Sequence, residues 1–154
     1  MVYQFLGPET QRLRTDRGLV RLWAQQSVLC TLYTGHVDAE MAKIVPEVGD
    51  QIVKKYGKVL TFHDWREIST YDPACRKILI DWTKAVGKQN PAAHILLKQG
   101  LVSMGVSVGA MFLPNLHIFT SANEFEARLR DTLAQDSGST TTPTSPNPVP
   151  HPSK

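Results

Sequence analysis

Residues able to carry chemistry crowd into one stretch of the chain: His63, Asp64, Glu67, Asp72 and Cys75. A strand ending at Asp64 and a helix starting at Asp72 would gather them near the carboxyl edge of that strand, where open α/β sheets bind ligands. Cys75 would then sit in the first turn of the helix, where the helix dipole lowers a thiol pKa. His63 would be the candidate base. Against this, the apolar stripe of the helix passes through Cys75, which makes it a small buried residue by default. No oriented nucleophile partner can be named for His63. The spacing of His63, Asp64 and Glu67 fits no recognised metal-ligand set. No catalytic, cofactor-binding or metal-ligating residue is therefore assigned, and a small enzyme using Cys75 or His63 ranks third among the functional readings.

Other motifs carry less. No glycine-rich phosphate loop follows a strand, because Gly87 and Gly100 stand alone, so nucleotide binding is unsupported. Gly105 and Gly109 form a G-x-x-x-G in the apolar stretch Leu101–Leu113, which is 13 residues long. A membrane span needs about 20 residues, so the stretch reads as a buried helix whose glycines allow close approach to a sheet. The net charge of +3 is too weak to imply nucleic acid. Arg12, Arg14, Arg17 and Arg21, and later Lys54, Lys55 and Lys58, read as solvated faces. Cys30 and Cys75 have neither zinc nor thioredoxin spacing, which predicts a reduced pair and a cytoplasmic location.

The elements that must position these residues follow from periodicity and punctuation. With 154 residues, 42% hydrophobic and 20% charged, the chain suits a single globular domain. Gln11–Thr15 and Leu19–Ala24 read as strands around Asp16-Arg17-Gly18, with Gly18 supplying a positive φ for the turn. Ser27–Tyr33 is apolar on both faces, as a central strand should be. Asp38 caps a helix that carries Met41, Ile44, Val45, Val48 and Ile52 and closes at Gly57, with a kink or restart expected at Pro46. Lys58–Asp64 is the next strand. Asp72-Pro73 starts a helix, the carboxylate accepting from first-turn amides, with Ile78, Leu79, Trp82 and Val86 as its stripe. Ala93–Leu97 is a strand, Leu101–Leu113 a helix, Leu116–Thr120 a strand, and Ser121 to Glu124 a capping box that opens a last helix. The alternation predicts a largely parallel sheet covered by helices. Residues 1–135 make up this domain. Residues 136–154 read as a disordered tail, since half of the ten prolines lie there and almost nothing apolar does.

Three local patterns, in this order of elements, resemble the STAS domain, and most closely the bacterial single-domain STAS-like group related to anti-sigma-factor antagonists. They are Gly35-His36-Val37-Asp38 after a strand, Asp64 followed eight residues later by Asp72, and Ile118-Phe119 leading to Phe125 and Leu129. The resemblance implies an α/β, STAS-like mixed sheet with an N-terminal antiparallel meander and about four helices. It also implies a non-enzymatic regulatory or scaffold module of a bacterial signalling system. Partners would be proteins, a second copy of the chain among them, with no nucleic acid, no membrane span and no cofactor. By analogy the contact surface would be the loop from Asp64 to Arg76, with Asp64, Ser69, Thr70, Asp72 and Arg76 as its residues. The family's phosphorylated hydroxyl aligns with Ala74, so the phosphorylation switch is expected to be missing. The alternative function is binding or sensing of a small apolar, lipid-like ligand between the sheet and the Leu101–Leu113 helix.

Overall fold

The computed structural model describes residues 3–98 and 115–138. Gln11–Arg14 (β1), Gly18–Gln25 (β2), Val28–Val37 (β3), Leu60–Tyr71 (β4), Ala93–Leu96 (β5) and Leu116–Phe119 (β6) form one sheet in that order. β1, β2 and β3 pair antiparallel, and β3 to β6 pair parallel. The helices are Ala39–Tyr56 (α1), Pro73–Val86 (α2) and Ala122–Gly138 (α3). The mixed sheet with an opening meander is as the pattern predicts. The described residues hold three helices rather than about four, and the segment expected to supply another, Leu101–Leu113, lies outside them. Most of the expected tail, residues 139–154, lies outside them too. Among the described residues no helix is long and apolar enough to cross a membrane.

Helices cover the sheet on both faces. On one face α1 and α2 pack through Met41, Val45, Val48, Ile52, Cys75 and Trp82 onto Leu22, Leu29 and Tyr33. On the other, Phe125 and Leu129 of α3 pack with Tyr3 onto Trp23, Val28, Cys30, Phe62 and Leu96. The two cysteines are free and lie in different clusters. The far end of α3 is fastened as well: the Ser27 hydroxyl and amide donate to Asp136 at 2.6 and 3.0 Å.

Local chemistry accounts for most element ends. Asp38 accepts from the Met41 amide at 2.9 Å, and Gly57 closes α1 at φ 79°. Helix α1 is continuous through Pro46, so no restart occurs there. Gly18 corrects the expected turn. It has no positive φ and instead lies opposite Gly35, close enough that a Cβ on it would sit 2.2 Å from the His36 carbonyl oxygen. The positive φ, 80°, belongs to Gly35.

Gly49 is required for a different contact. A Cβ there would lie 2.2 Å from the Trp82 ring, whose Nε1–H donates to Asp50 at 2.8 Å. Overpacking of this kind costs about 1–3 kcal/mol, and alanine's better helix propensity returns at most about 1. Gly49→Ala is therefore expected to lower stability in urea melts and to shift tryptophan emission to the red as Trp82 leaves its seat.

Candidate functional site

β4 is the element that organises the site. Its inner half alternates regularly: Phe62 and Asp64 face α3, while Thr61 and His63 face α2. The register with β3 then slips twice, between Leu32↔Asp64 and Thr34↔Glu67, and between Gly35↔Ile68 and His36↔Thr70. Each slip gives β4 an extra residue, a β-bulge that re-aims the side chains after it. Trp65 and Ile68 consequently both pack on the α1–α2 face, which strict alternation would forbid. The segment from Asp64 to Tyr71 is thus strand and not the expected loop.

This placement splits the five residues assigned to the contact surface. Asp64 is 0% exposed and lies on the α3 face. Its carboxylate accepts from the Tyr3 hydroxyl at 2.8 Å and from Arg66 Nη2 and Nε at 2.7 and 3.0 Å. A group so buried and fully partnered cannot touch another protein directly, so its assignment as a contact residue is corrected: it anchors the N-terminal segment. Ser69, Thr70, Asp72 and Arg76 do come together, where β4 meets α2.

At that corner Asp72 does not cap α2 through its side chain, contrary to expectation. It accepts from His36 Nε2 at 3.1 Å instead, and the other ring nitrogen shares a 2.7 Å hydrogen bond with the Thr70 hydroxyl. The imidazole ties the ends of β3 and β4 to the start of α2. Arg76 donates to the Tyr71 hydroxyl at 2.8 Å, and Tyr71, 46% exposed, is the most open large apolar side chain among the described residues. Ala74, exposed in the first turn of α2, has no hydroxyl to modify.

Beneath the corner lies an open cavity of about 500 Å³ between α2 and strands β4 and β5. Trp65, Ile68, Leu79, Ile80, Ile95 and Leu97 supply apolar wall. Helix α2 buries only Cys75 and Trp82 fully, so its apolar stripe is half covered on this side. His63 is in the wall, its Nδ1 bonded to the Thr31 hydroxyl at 2.6 Å. Burial, and after it the neighbouring His94, lowers its pKa to about 4, so the ring is neutral at neutral pH. Cys75 is 4% exposed, donates to the Val37 carbonyl at 3.3 Å, and has its thiol pKa raised, chiefly by burial. An activated nucleophile needs the opposite shift.

The same frame recurs in solved structures. An uncharacterised protein of the DUF3478 family from Shewanella loihica, described as having a SpoIIAA-like fold, superposes with a TM-score of 0.60 at 12% identity, over 76% of this chain and 98% of that one. An anti-sigma factor antagonist from Mycobacterium paratuberculosis gives 0.53 at 13% identity, over 77% and 98%. The chain has a SpoIIAA-like, STAS-type fold. The anti-sigma factor antagonist SpoIIAA in its unphosphorylated form matches at 0.56 and 10% identity, over 73% and 96%. No family model matches the sequence, and no curated protein matches it significantly.

Within this SpoIIAA-like frame, three site residues escaped sequence reasoning. His36 was visible only as part of a glycine motif. Tyr33 read as central-strand core, and Tyr71 had no pattern at all. The alternation Thr31, Tyr33 on β3 was the one available signal for the polar groups over the cavity.

Proposed function

We propose that the protein is a non-enzymatic regulatory module that works by binding another protein through the corner where β4 meets α2. The single observation carrying this reading is that Ser69, Thr70, Tyr71 and Arg76 stand exposed together there, with Asp72 half-exposed among them, held rigid by the His36 bridge. The SpoIIAA-like fold supports it, because two of the similar structures are of anti-sigma factor antagonists. On this reading the protein is bacterial and cytoplasmic, takes part in signalling, and takes a protein partner or a second copy of itself. The surface lacks the family's phosphoacceptor, since Ala74 occupies that place. Binding is then controlled by abundance or by the partner. Arg76→Glu with Tyr71→Ala is expected to abolish capture of the partner from native lysate, while Glu126→Lys on α3 leaves it intact. Equal capture by the wild type, the double variant and Glu126→Lys would remove the basis for this surface.

The cavity favours a second reading, a site for a small apolar ligand. Pockets of roughly 300–1,000 Å³ with apolar walls and a few convergent polar groups are the usual form of such sites, and this one has both.

A further inference from the structure

The inner wall of the cavity holds an unexplained polar group. Tyr33 lines the cavity and is 1% exposed. Its hydroxyl lies near that of Thr31, which is engaged with His63, and makes no hydrogen bond of proper geometry among the described residues. A buried hydroxyl without a partner is costly, and an apolar phenylalanine of the same shape would avoid that cost. His63 lies on the neighbouring strand in the same wall. Its Nδ1 is satisfied by Thr31, and its Nε2 has no hydrogen bond within the described residues. Among the described residues, two unfilled hydrogen-bonding positions thus lie in the wall of a largely apolar space.

Resting on the second reading above, we infer that the cavity takes an apolar molecule with one uncharged oxygen headgroup, an alcohol or carbonyl, held by the Tyr33 hydroxyl and His63 Nε2. The chain of the ligand lies against Trp65, Ile68, Leu79 and Ile95. An ionised headgroup does not suit the inner wall. Burial raises the pKa of the Tyr33 hydroxyl and lowers that of His63, so both side chains stay neutral. Arg76 is the one charged side chain among the described residues lining the cavity, and its guanidinium is turned to the exposed Tyr71 hydroxyl. A carboxylate placed beside Tyr33 would give up its water without gaining a counter-charge.

Trp65 and Trp82 line the same space, so intrinsic fluorescence reports occupancy. The full chain is titrated with 1-decanol, decanoate and n-decane, and complexes are checked by native mass spectrometry. Saturable binding of 1-decanol is expected, about tenfold tighter than n-decane, as one net hydrogen bond confers, and tighter than decanoate. Tyr33→Phe should keep or raise the melting temperature and reduce the preference for 1-decanol over n-decane, with His63 Nε2 left as the one remaining partner of the headgroup. Equal binding of 1-decanol and n-decane by the wild type, or an unchanged preference in Tyr33→Phe, would overturn the headgroup assignment and leave the apolar site standing. Preference for decanoate would overturn it also. If none of the three binds, the apolar-ligand reading falls together with the inference.

Discussion

Asp64→Ala is expected to lower the unfolding free energy by about 3 kcal/mol, although the family resemblance implied a contact role for this residue. The carboxylate is fully buried and accepts from the Tyr3 hydroxyl, the Arg66 guanidinium and the Arg66 amide. Removing one partner of a buried pair costs about 3–5 kcal/mol, because the other charge is left without compensation. The lower end applies because the Arg66 side chain is 28% exposed and regains some water. Asp64→Asn keeps an acceptor and should cost about 1–2 kcal/mol. The change should also free the N-terminal segment. Tyr3 sits at φ 67°, a left-handed conformation rare for a side-chain-bearing residue, and its ring packs against Trp23 and Phe125. Such strain persists only where surrounding contacts enforce it. Urea melts and hydrogen exchange at residues 4–9 are the readouts. Asp72→Lys provides the contrast: its side chain is 47% exposed, so its effect should stay within about 1 kcal/mol. A stable Asp64→Ala with protected N-terminal amides would show that the buried anchor is wrongly assigned.

The second large effect concerns acid. His63 and His94 both have pKa values lowered to about 4, in each case first by burial. His63 is next affected by His94, and the 3.0 Å donation from His94 Nδ1 to the Thr61 carbonyl opposes the shift only in part. In the unfolded chain each titrates near its ordinary value of about 6.5. Between those values the unfolded state binds more protons than the folded one, so stability rises with pH. It is complete above about pH 6.5 and is lost as pH falls toward 4, at up to about 2.7 kcal/mol per pH unit for two protons. Each group alone contributes at most about 3 kcal/mol, and their mutual repulsion makes the sum less than additive. Urea melts from about pH 7 down to about pH 4.5 measure this slope. His63→Gln and His94→Gln should each flatten it. A stability that is level across this window in the wild type would contradict the buried, neutral state of both rings.

These expectations also show where sequence reading succeeds and where it stops. Helix α1 was legible because its signals are local: Asp38 at the cap, a period of 3.6 in Met41, Val45, Val48 and Ile52, and Gly57 at the end. The antiparallel meander and the parallel continuation followed from strand lengths and the helices between them. β4 was legible only to Asp64. Beyond it, two bulges break the alternation that marks a half-buried strand, and Arg66, Glu67 and Ser69 look like loop residues. Asp64 misled for a related reason. A carboxylate at a strand end resembles a surface feature until Tyr3, 61 positions away, is seen to bond it. Long-range partners of this kind leave no trace in local composition. The same holds for His36, whose role depends on Thr70 and Asp72 arriving from another strand and a helix start. The candidate site was therefore half legible: Ser69, Thr70, Asp72 and Arg76 do gather where β4 meets α2, while Asp64 lies buried on the opposite face.

The most direct test of the proposed interaction surface is site-specific photocrosslinking in the native host. A photoreactive phenylalanine analogue at Tyr71, which is exposed beside Arg76, is compared with the same analogue at Glu126 on α3. A discrete crosslinked protein species is expected from position 71 and none from position 126. Crosslinks from position 126 alone, or an identical pattern from both, would contradict binding at the β4–α2 corner.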